Sequence, residues 1–446
     1  MRNENETPTE LHARYRGKIQ IAPKAPVTGL ADYAIWYTPG VAEPCRAIAR
    51  DPDQVWELTN RGNTIAVVSD GTRVLGLGDI GPAAGLPVME GKALIFKLLG
   101  GVDAIPLVLD AANPDAFSAT VRALAPSFGG VNLEDIAQPK CFGLLNRLQD
   151  ELEIPVWHDD QQGTATVVLA AVLNALMLVG KSLVAVKIAM VGMGAANVAN
   201  YRLLTAAGAD PAAVVACDEL GTLHAGRDDL ALTADAPLTA DAPQWRICQE
   251  TNAEGVVGGA AEAIRGADLL IAFSRPGPDV IAPDWVRAMA KDAIVIAGAN
   301  PTPEIWPEDA RAAGARIVGT GRSDFPNQVN NALAFPGIFR GVLDVRARRI
   351  TDGMAVAAAE ELARCAEIQG LREDHILPTL DEAEVAVRIA VATGLAAQAA
   401  GVARLELDAS ALRAQAECAI ERARALAIKS TRAAGPPPRA HGPSAR

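Results

Sequence analysis

The stretch KIAMVGMGAANVANYRLLTAAGA, residues 187–209, indicates the fold of the second half of the chain. An apolar run typical of a buried β-strand leads into Gly192 and Gly194, and a helix-like pattern follows. Small residues at such a junction let the backbone and the helix N-terminus approach a pyrophosphate. The stretch therefore predicts a dinucleotide-binding turn formed by Gly192, Gly194, Ala195, Ala196 and Asn197. Because Asn197 occupies the third glycine position, an ordinary strand-to-helix turn remains the alternative.

An acidic residue ends the next apolar run, AAVVACD, at a spacing typical of dinucleotide-binding folds. Asp218 lies about twenty residues beyond the glycines, where a carboxylate accepts hydrogen bonds from the adenosine ribose. A helix or turn cap is the other interpretation of this residue. Because a second carboxylate at Glu219 would repel a ribose phosphate, the pair favours NAD over NADP. Arg227 is near enough in sequence to keep NADP as the alternative.

The rest of the sequence predicts a two-domain α/β protein. The runs ADLLIAFS, AIVIAGAN and ARIVGTG alternate with helix-like stretches, as in a parallel, doubly wound sheet of the Rossmann type. Short apolar runs with Gly and Pro between them predict an α/β domain before it, and Thr164 to Val179 reads as a buried helix. The predicted limits are a first domain over 1–163, a dinucleotide domain over 164–345, a helical segment over 346–430 and a disordered tail over 431–446.

Composition excludes several classes of protein. The 446 residues, half of them hydrophobic, can bury two cores. A net charge of -12 without a dense Lys/Arg run argues against a nucleic-acid partner. No signal peptide or membrane-spanning run is predicted, and the six scattered cysteines fit a reducing cytoplasm better than a disulfide scaffold.

Four acids follow two apolar runs in the first domain. SFGGVNLEDI carries Glu134 and Asp135, and IPVWHDDQQGTAT carries Asp159 and Asp160. Neighbouring strand residues point to opposite faces, so Glu134 and Asp135 can share one ion only where the strand turns. A third carboxylate from the other run would complete an all-oxygen site for Mg²⁺ or Mn²⁺. Capping and solvation at element ends is an equally good interpretation of the acids alone.

Longer motifs decide between these interpretations. In them the sequence resembles the short bacterial malic enzymes, in family order from Tyr15 to about Ala403: YTPGVAEPC, SDGTRVLGLGDIG, PVMEGKALIFK, GGVNLEDI, HDDQQGTA, GANPTPEI and TGRSDFPNQVNNALAFPGIFRG. The resemblance implies a divalent cation held by Glu134, Asp135 and Asp160, with Asp159 as a neighbouring support. It also implies malate as substrate and at least a homodimer. Gln162 departs from the family, which usually has His there.

The resemblance also implies catalytic roles. Lys92 is the candidate base for the malate hydroxyl, and we expect its pKa to be lowered by Arg73 and by the start of the helix in EGKALIFKLL. Without the resemblance it would read as a surface lysine. Tyr37 is expected to protonate C3 of enolpyruvate, and Arg73 to grip a substrate carboxylate. Amides at Asn300 and Asn331 are expected to bind substrate or nicotinamide. His158 receives no ligand role and is interpreted as structural.

Three other functions stay open at this point. A malolactic-type lyase would retain its NAD and form lactate from malate. A non-catalytic metabolite-binding protein could keep the same fold, although the set of Tyr37, Lys92 and the acids argues against it. An amino-acid dehydrogenase shares the two-domain plan, but it has no need for a site of three carboxylates.

Overall fold

Two sheets organise the chain in the computed structural model, which describes residues 6–230 and 243–434. The strands are β1 (Thr64–Ser69), β2 (Asp103–Val108), β3 (Gly130–Leu133), β4 (Val156–His158), β5 (Ile188–Val191), β6 (Val214–Asp218), β7 (Gly221–Thr222), β8 (Leu269–Ala272), β9 (Ile294–Ala297) and β10 (Ile317–Thr320). The first sheet has the order β2-β1-β3-β4 and is parallel. The second has the order β10-β9-β8-β5-β6-β7, with β7 antiparallel.

Helices connect and cover these strands. They are α1 (Pro8–Tyr15), α2 (Leu30–Trp36), α3 (Ala42–Arg50), α4 (Val55–Leu58), α5 (Pro82–Gly100), α6 (Pro114–Leu124), α7 (Lys140–Glu151), α8 (Thr164–Val179), α9 (Ala195–Ala206), α10 (Pro243–Glu250), α11 (Ala260–Ile264), α12 (Pro283–Arg287), α13 (Pro307–Ala312), α14 (Phe335–Asp344), α15 (Asp352–Gln369), α16 (Ala383–Ala399) and α17 (Ala409–Ala434).

The second sheet is doubly wound, as predicted. Ile188 and Met190 of β5 point into one hydrophobic core, whereas Ala189 and Val191 point into another, so helices cover both faces. The chain reverses its direction of winding between the neighbouring strands β5 and β8. In open α/β sheets, ligands bind beyond the carboxyl ends of the strands at such a switch point.

Helix α8 lies in the middle of the fold. Together with the turn before it, it forms the described segment Asp159–Val179, which is long and apolar enough to cross a membrane, but 72% of its most apolar part is buried. It packs against α9 and α15. The prediction of a buried helix from Thr164 to Val179 is confirmed.

The chain returns to the first sheet after β10. Phe335 and Phe339 of α14 pack against Phe96 of α5, with ring centroids 4.5 and 5.2 Å apart. Helix α17 also packs on α5. It continues to Ala434, so the first residues of the predicted tail are helical, and residues 435–446 lie outside the described residues.

Candidate metal and dinucleotide site

A turn after β3 brings two consecutive carboxylates to one place. The strand ends at Leu133, and Asp135 has a left-handed backbone with φ of 54°. This break in the strand removes the alternation that would separate the two side chains. One carboxylate oxygen each of Glu134, Asp135 and Asp160 lie within 4.8 Å of one another. The structure thus brings together the three residues that the sequence suggests as metal ligands.

A single π-helical turn, Asp159–Gly163, carries the second pair of acids between β4 and α8. The backbone N–H of Asp135 donates to Asp160 Oδ2 at 2.8 Å, which joins the two acidic turns directly. Gln162 lies in the same turn, and its Oε1 accepts from the backbone N–H of His158 at 3.1 Å. Gln162 therefore braces this turn.

Lys92 contacts two of the acids. The expectation that its pKa is lowered by Arg73 and by a helix start is wrong. Its Nζ lies 3.0 Å from Glu134 Oε1 and also pairs with Asp159. It is not at a helix start, because α5 begins at Pro82. Burial alone would lower the pKa of Lys92, but the charges of Asp159 and Glu134 outweigh it and raise the pKa. Lys92 is therefore a cation in this state.

The acids themselves are held in an unfavourable environment. Burial, followed by the nearby charge of Asp160, raises the pKa of Asp135 to about 7. Burial also raises the pKa of Glu134, against the opposing effect of Lys92. Asp135 Oδ2 is buried and has no hydrogen-bond partner among the described residues. A site of hard oxygen donors with one buried, unsatisfied oxygen fits a divalent cation such as Mg²⁺ or Mn²⁺.

Loops from both domains surround this cluster. The backbone N–H of Arg73 donates to the carbonyl of Asp135 at 3.1 Å, so the loop of Arg73 borders the metal-binding turn. The same loop contacts the second domain, because a Cβ on Gly76 would lie 2.7 Å from the carbonyl oxygen of Asn300. Asn331 lies beside the π-helical turn, with its Cβ 3.4 Å from the place of a Cβ on Gly163. Arg73 and Asn331 thus lie beside the two acidic turns, Asn300 contacts the loop of Arg73, and the binding roles of these three residues stay predictions.

Tyr37 is not brought to the cluster. It follows α2, its residue surface is 71% exposed, and its hydrogen bonds are those of its backbone with Tyr33 and Val41. Nearby Ile35 and Trp36 are also exposed. The role of Tyr37 as the acid stays a prediction.

The glycine turn has the shape that the sequence suggests. Gly192 has φ of 85°, and a Cβ there would lie 2.6 Å from the carbonyl oxygen of Phe273 in the loop after β8. Gly194 is the N-cap of α9, whose first residues are Ala195 and Ala196. The side chain of Asn197 is buried, and its Nδ2 donates to the carbonyls of Val191 and Gly192. Its amide thus holds the turn together.

Asp218 ends β6 in a pair with Arg227. The guanidinium donates to both carboxylate oxygens of Asp218, at 3.0 and 2.8 Å. It also pairs with Asp229. Arg227 is therefore held between two carboxylates, which offset its charge at the place where the ribose of a dinucleotide would lie.

Two residues near the site are not predicted from the sequence. Asn132 Nδ2 donates to Glu134 Oε2 at 2.9 Å, and Trp157 Nε1 donates to Asp159 Oδ1 at 3.1 Å. Each lies in a strand, two residues before the acid that it contacts, and that acid follows the end of the strand. That period of two is the signal that could have found them.

Comparison with known proteins assigns both halves of the chain to one family. Residues 16–149 match the malic enzyme N-terminal domain, and residues 161–400 match the malic enzyme NAD binding domain. A bifunctional malic/malolactic enzyme of Bacillus subtilis is 46% identical over 90% of this chain and 95% of its own length. An NAD-dependent malic enzyme of Geobacillus stearothermophilus is 47% identical over 87% of this chain and 78% of its own length, while other relatives are named NADP-dependent.

A solved structure gives the same result at the level of the fold. The malic enzyme of Entamoeba histolytica superposes with a TM-score of 0.91 and 44% identity, covering 97% of this chain and 89% of that one. The likeness thus includes both sheets. By its sequence, its fold and the placement of these acids, the chain belongs to the malic enzyme family.

Proposed function

We propose that the protein catalyses the divalent-metal-dependent oxidative decarboxylation of (S)-malate to pyruvate and CO₂, with reduction of NAD⁺, in the cytoplasm. The observation that carries this proposal is the acidic cluster of Glu134, Asp135 and Asp160, with Lys92 at its edge and a dinucleotide turn in the facing domain. When bound there, Mg²⁺ or Mn²⁺ supplies positive charge that stabilises the negative charge developing on the substrate oxygens. A dinucleotide held at the turn of Gly192 and Gly194 would supply the acceptor for the C2 hydride.

Lys92 is the proposed proton acceptor for the C2 hydroxyl. A cation held by these carboxylates would reduce the negative charge that keeps Lys92 protonated. Lys92 Nζ could then lose its proton to solvent and, as a neutral amine, accept the proton of the malate hydroxyl. Asp159, fixed by Trp157, positions this ammonium group. Lys92→Ala should lower kcat by about 10²- to 10⁴-fold while Mn²⁺ binding persists. Full turnover of that variant would show that Lys92 is not the base.

Three further residues are proposed to orient the substrate. Arg73 is exposed on the loop next to Asp135 and can pair with a malate carboxylate through two hydrogen bonds. Asn300, beside the loop of Arg73, and Asn331, beside the π-helical turn, are proposed to offer their amides to substrate or nicotinamide. Tyr37 is proposed to protonate C3 after CO₂ has left, and Tyr37→Phe tests this by slowing pyruvate formation more than malate binding.

NAD is the proposed cofactor because of the state of Arg227. A 2′-phosphate needs a cation that is free to pair with it, whereas this guanidinium is held by Asp218 and Asp229. Asp218 also presents a carboxylate that suits the 2′-hydroxyl of NAD. Relative values of kcat/KM for NAD and NADP measure this preference directly.

The central experiment is a malate assay that crosses NAD and NADP with Mg²⁺ and Mn²⁺, with product identification. Pyruvate, CO₂ and reduced dinucleotide should form in equal amounts, and Asp160→Asn is the matched control that should lose this activity. Full activity after exhaustive chelation would contradict the proposal. Lactate formation without free NADH would instead establish malolactic activity, the second candidate, which the name of the Bacillus subtilis relative favours.

We also propose a homodimer. The segment before α3 exposes large apolar side chains that the rest of the described chain does not cover, namely Ile21, Leu30, Ile35, Trp36 and Tyr37. Surfaces of this kind mark protein interfaces, and most soluble oligomers are symmetric dimers. Light scattering should give twice the chain mass, and Trp36→Glu should reduce it to that of one chain. A monomeric unchanged protein would contradict this.

A further inference from the structure

His158 carries buried polar atoms that the fold does not satisfy. Its side chain is 0% exposed, and neither ring nitrogen has a hydrogen-bond partner among the described residues. A neutral imidazole has one N–H donor and one acceptor, and buried groups of either kind are normally paired. Packing alone therefore does not explain a buried histidine whose two ring nitrogens are unpaired.

The nearest charged group is a residue of the acidic cluster. Nδ1 of His158 lies 3.6 Å from Asp160 Oδ2, somewhat beyond hydrogen-bond distance, which is about 2.9 Å for such a pair. The backbone of His158 is fixed, because it belongs to β4, pairs with Leu133 of β3 and donates to Gln162. The side chain of Asp160 is 36% exposed and therefore has room to turn. A small rotation of this carboxylate would complete the hydrogen bond.

We propose that His158 is a positioning residue for the metal site, donating from Nδ1 to Asp160 and fixing the orientation of that carboxylate when a cation is bound. This inference rests on the proposed function, which assigns Asp160 as a metal ligand. Groups that hydrogen-bond a metal-binding carboxylate orient it, and their loss typically weakens metal affinity by about 10- to 100-fold. The backbone N–H of Asp135 would then act together with His158, since it already donates to Oδ2 of the same carboxylate.

A purely structural role and this positioning role predict different effects of substitution. If His158 only fills space and supports the fold, His158→Phe should lower the Tm of the metal-free protein and leave the affinity of the folded protein for metal unchanged. If His158 positions Asp160, the same variant should keep the metal-free Tm or raise it, because an unpaired buried group is replaced by an apolar ring. Its affinity for metal should fall.

The test uses the full-length protein and Mn²⁺ alone, with free Mn²⁺ measured by electron paramagnetic resonance and Tm measured in chelator. His158→Phe should raise the Kd for Mn²⁺ about 10- to 100-fold. His158→Asn, which keeps an N–H near the position of Nδ1, should recover part of the affinity. His375→Asn is the matched control, because His375 is only half-buried and its Nε2 pairs with Gln369 Oε1, far along the chain from the cluster.

The outcomes separate this inference from the proposal on which it rests. Unchanged Mn²⁺ affinity in His158→Phe, while Asp160→Asn loses binding, would overturn the positioning role alone. A loss of affinity in His158→Phe without any recovery in His158→Asn would also count against it. If the unchanged protein binds no Mn²⁺, or if Asp160→Asn binds it equally well, the proposed metal site itself is wrong.

Discussion

Asp135 couples the stability of the metal-free protein to pH. Because burial and the charge of Asp160 raise its pKa to about 7, from an ordinary value near 4, the folded state holds a proton that the unfolded state releases. This contribution to stability is complete below about pH 4 and is lost as the pH rises through about 7. The Tm of the chelated protein should therefore fall by a few degrees between pH 5 and pH 8.

The stabilisation of the protein by added Mn²⁺ should increase as the pH rises, since a cation neutralises the ionised carboxylates. The increase in Tm that Mn²⁺ gives should grow over the same pH range. Asp135→Asn is the control, because it removes the titrating group and should flatten the fall in Tm measured in chelator. An equally steep fall in that variant would assign the pH dependence to another group.

The second prediction for a single residue concerns Asp218 and the preference for NAD over NADP. Asp218→Ala removes one of the two carboxylates that hold Arg227 and leaves the guanidinium more available to a 2′-phosphate. The ratio of kcat/KM for NADP to that for NAD should rise roughly tenfold, the effect of one charged hydrogen bond. Asp229→Ala frees the same guanidinium but keeps the carboxylate at the end of β6, so its effect should be smaller. Equal ratios in both variants would contradict a ribose-binding role for Asp218.

At the scale of elements, the π-helical turn Asp159–Gly163 depends on its last glycine. A Cβ on Gly163 would lie 1.8 Å from Asp159 Oδ1, so Gly163→Ala must displace the carboxylate that positions Lys92. We expect kcat to fall at least about tenfold, as for other misplaced catalytic groups. Gly91→Ala is the control in α5, where a Cβ meets nothing within 4 Å and should slightly stabilise the helix. Unchanged kcat in Gly163→Ala would contradict the assignment of Asp159.

The same elements show what local sequence can and cannot predict. The strand before Gly192 and the helix after Gly194 follow from hydrophobic periodicity, which is a local property. The sequence pattern predicts that α5 begins at Glu90, whereas the helix begins at Pro82. Pro87 lies inside the helix, and a proline resembles a signal for a helix start. The raised pKa of Lys92 depends on Asp159, 67 residues away, and no local pattern carries that information.

At the scale of the whole molecule, the site depends on elements that are distant in sequence. The acids and Lys92 come from the first sheet and α5, whereas the ring of Phe335, on α14 after the second sheet, lies 4.4 Å from Lys92 Nζ. Helix α14 therefore joins the two halves of the chain directly beneath the site. The resemblance implies a set of site residues, including the three acids that the structure brings together, but this return of the chain to the first sheet becomes visible only in the folded structure.

The contact between the two domains gives the last prediction. A Cβ on Gly76 would lie 2.7 Å from the carbonyl oxygen of Asn300 and 2.9 Å from Pro301 Cδ, so Gly76→Ala must push the loop of Arg73 away from the second domain. Because Arg73 and Asn300 are both proposed to bind malate, KM for malate should rise about tenfold. The Tm should change little, since neighbouring Leu75 and Leu77 are exposed. Leu77→Ala is the control in the same loop and should leave KM nearly unchanged. If Gly76→Ala also keeps its KM, the approach of these two loops does not contribute to malate binding.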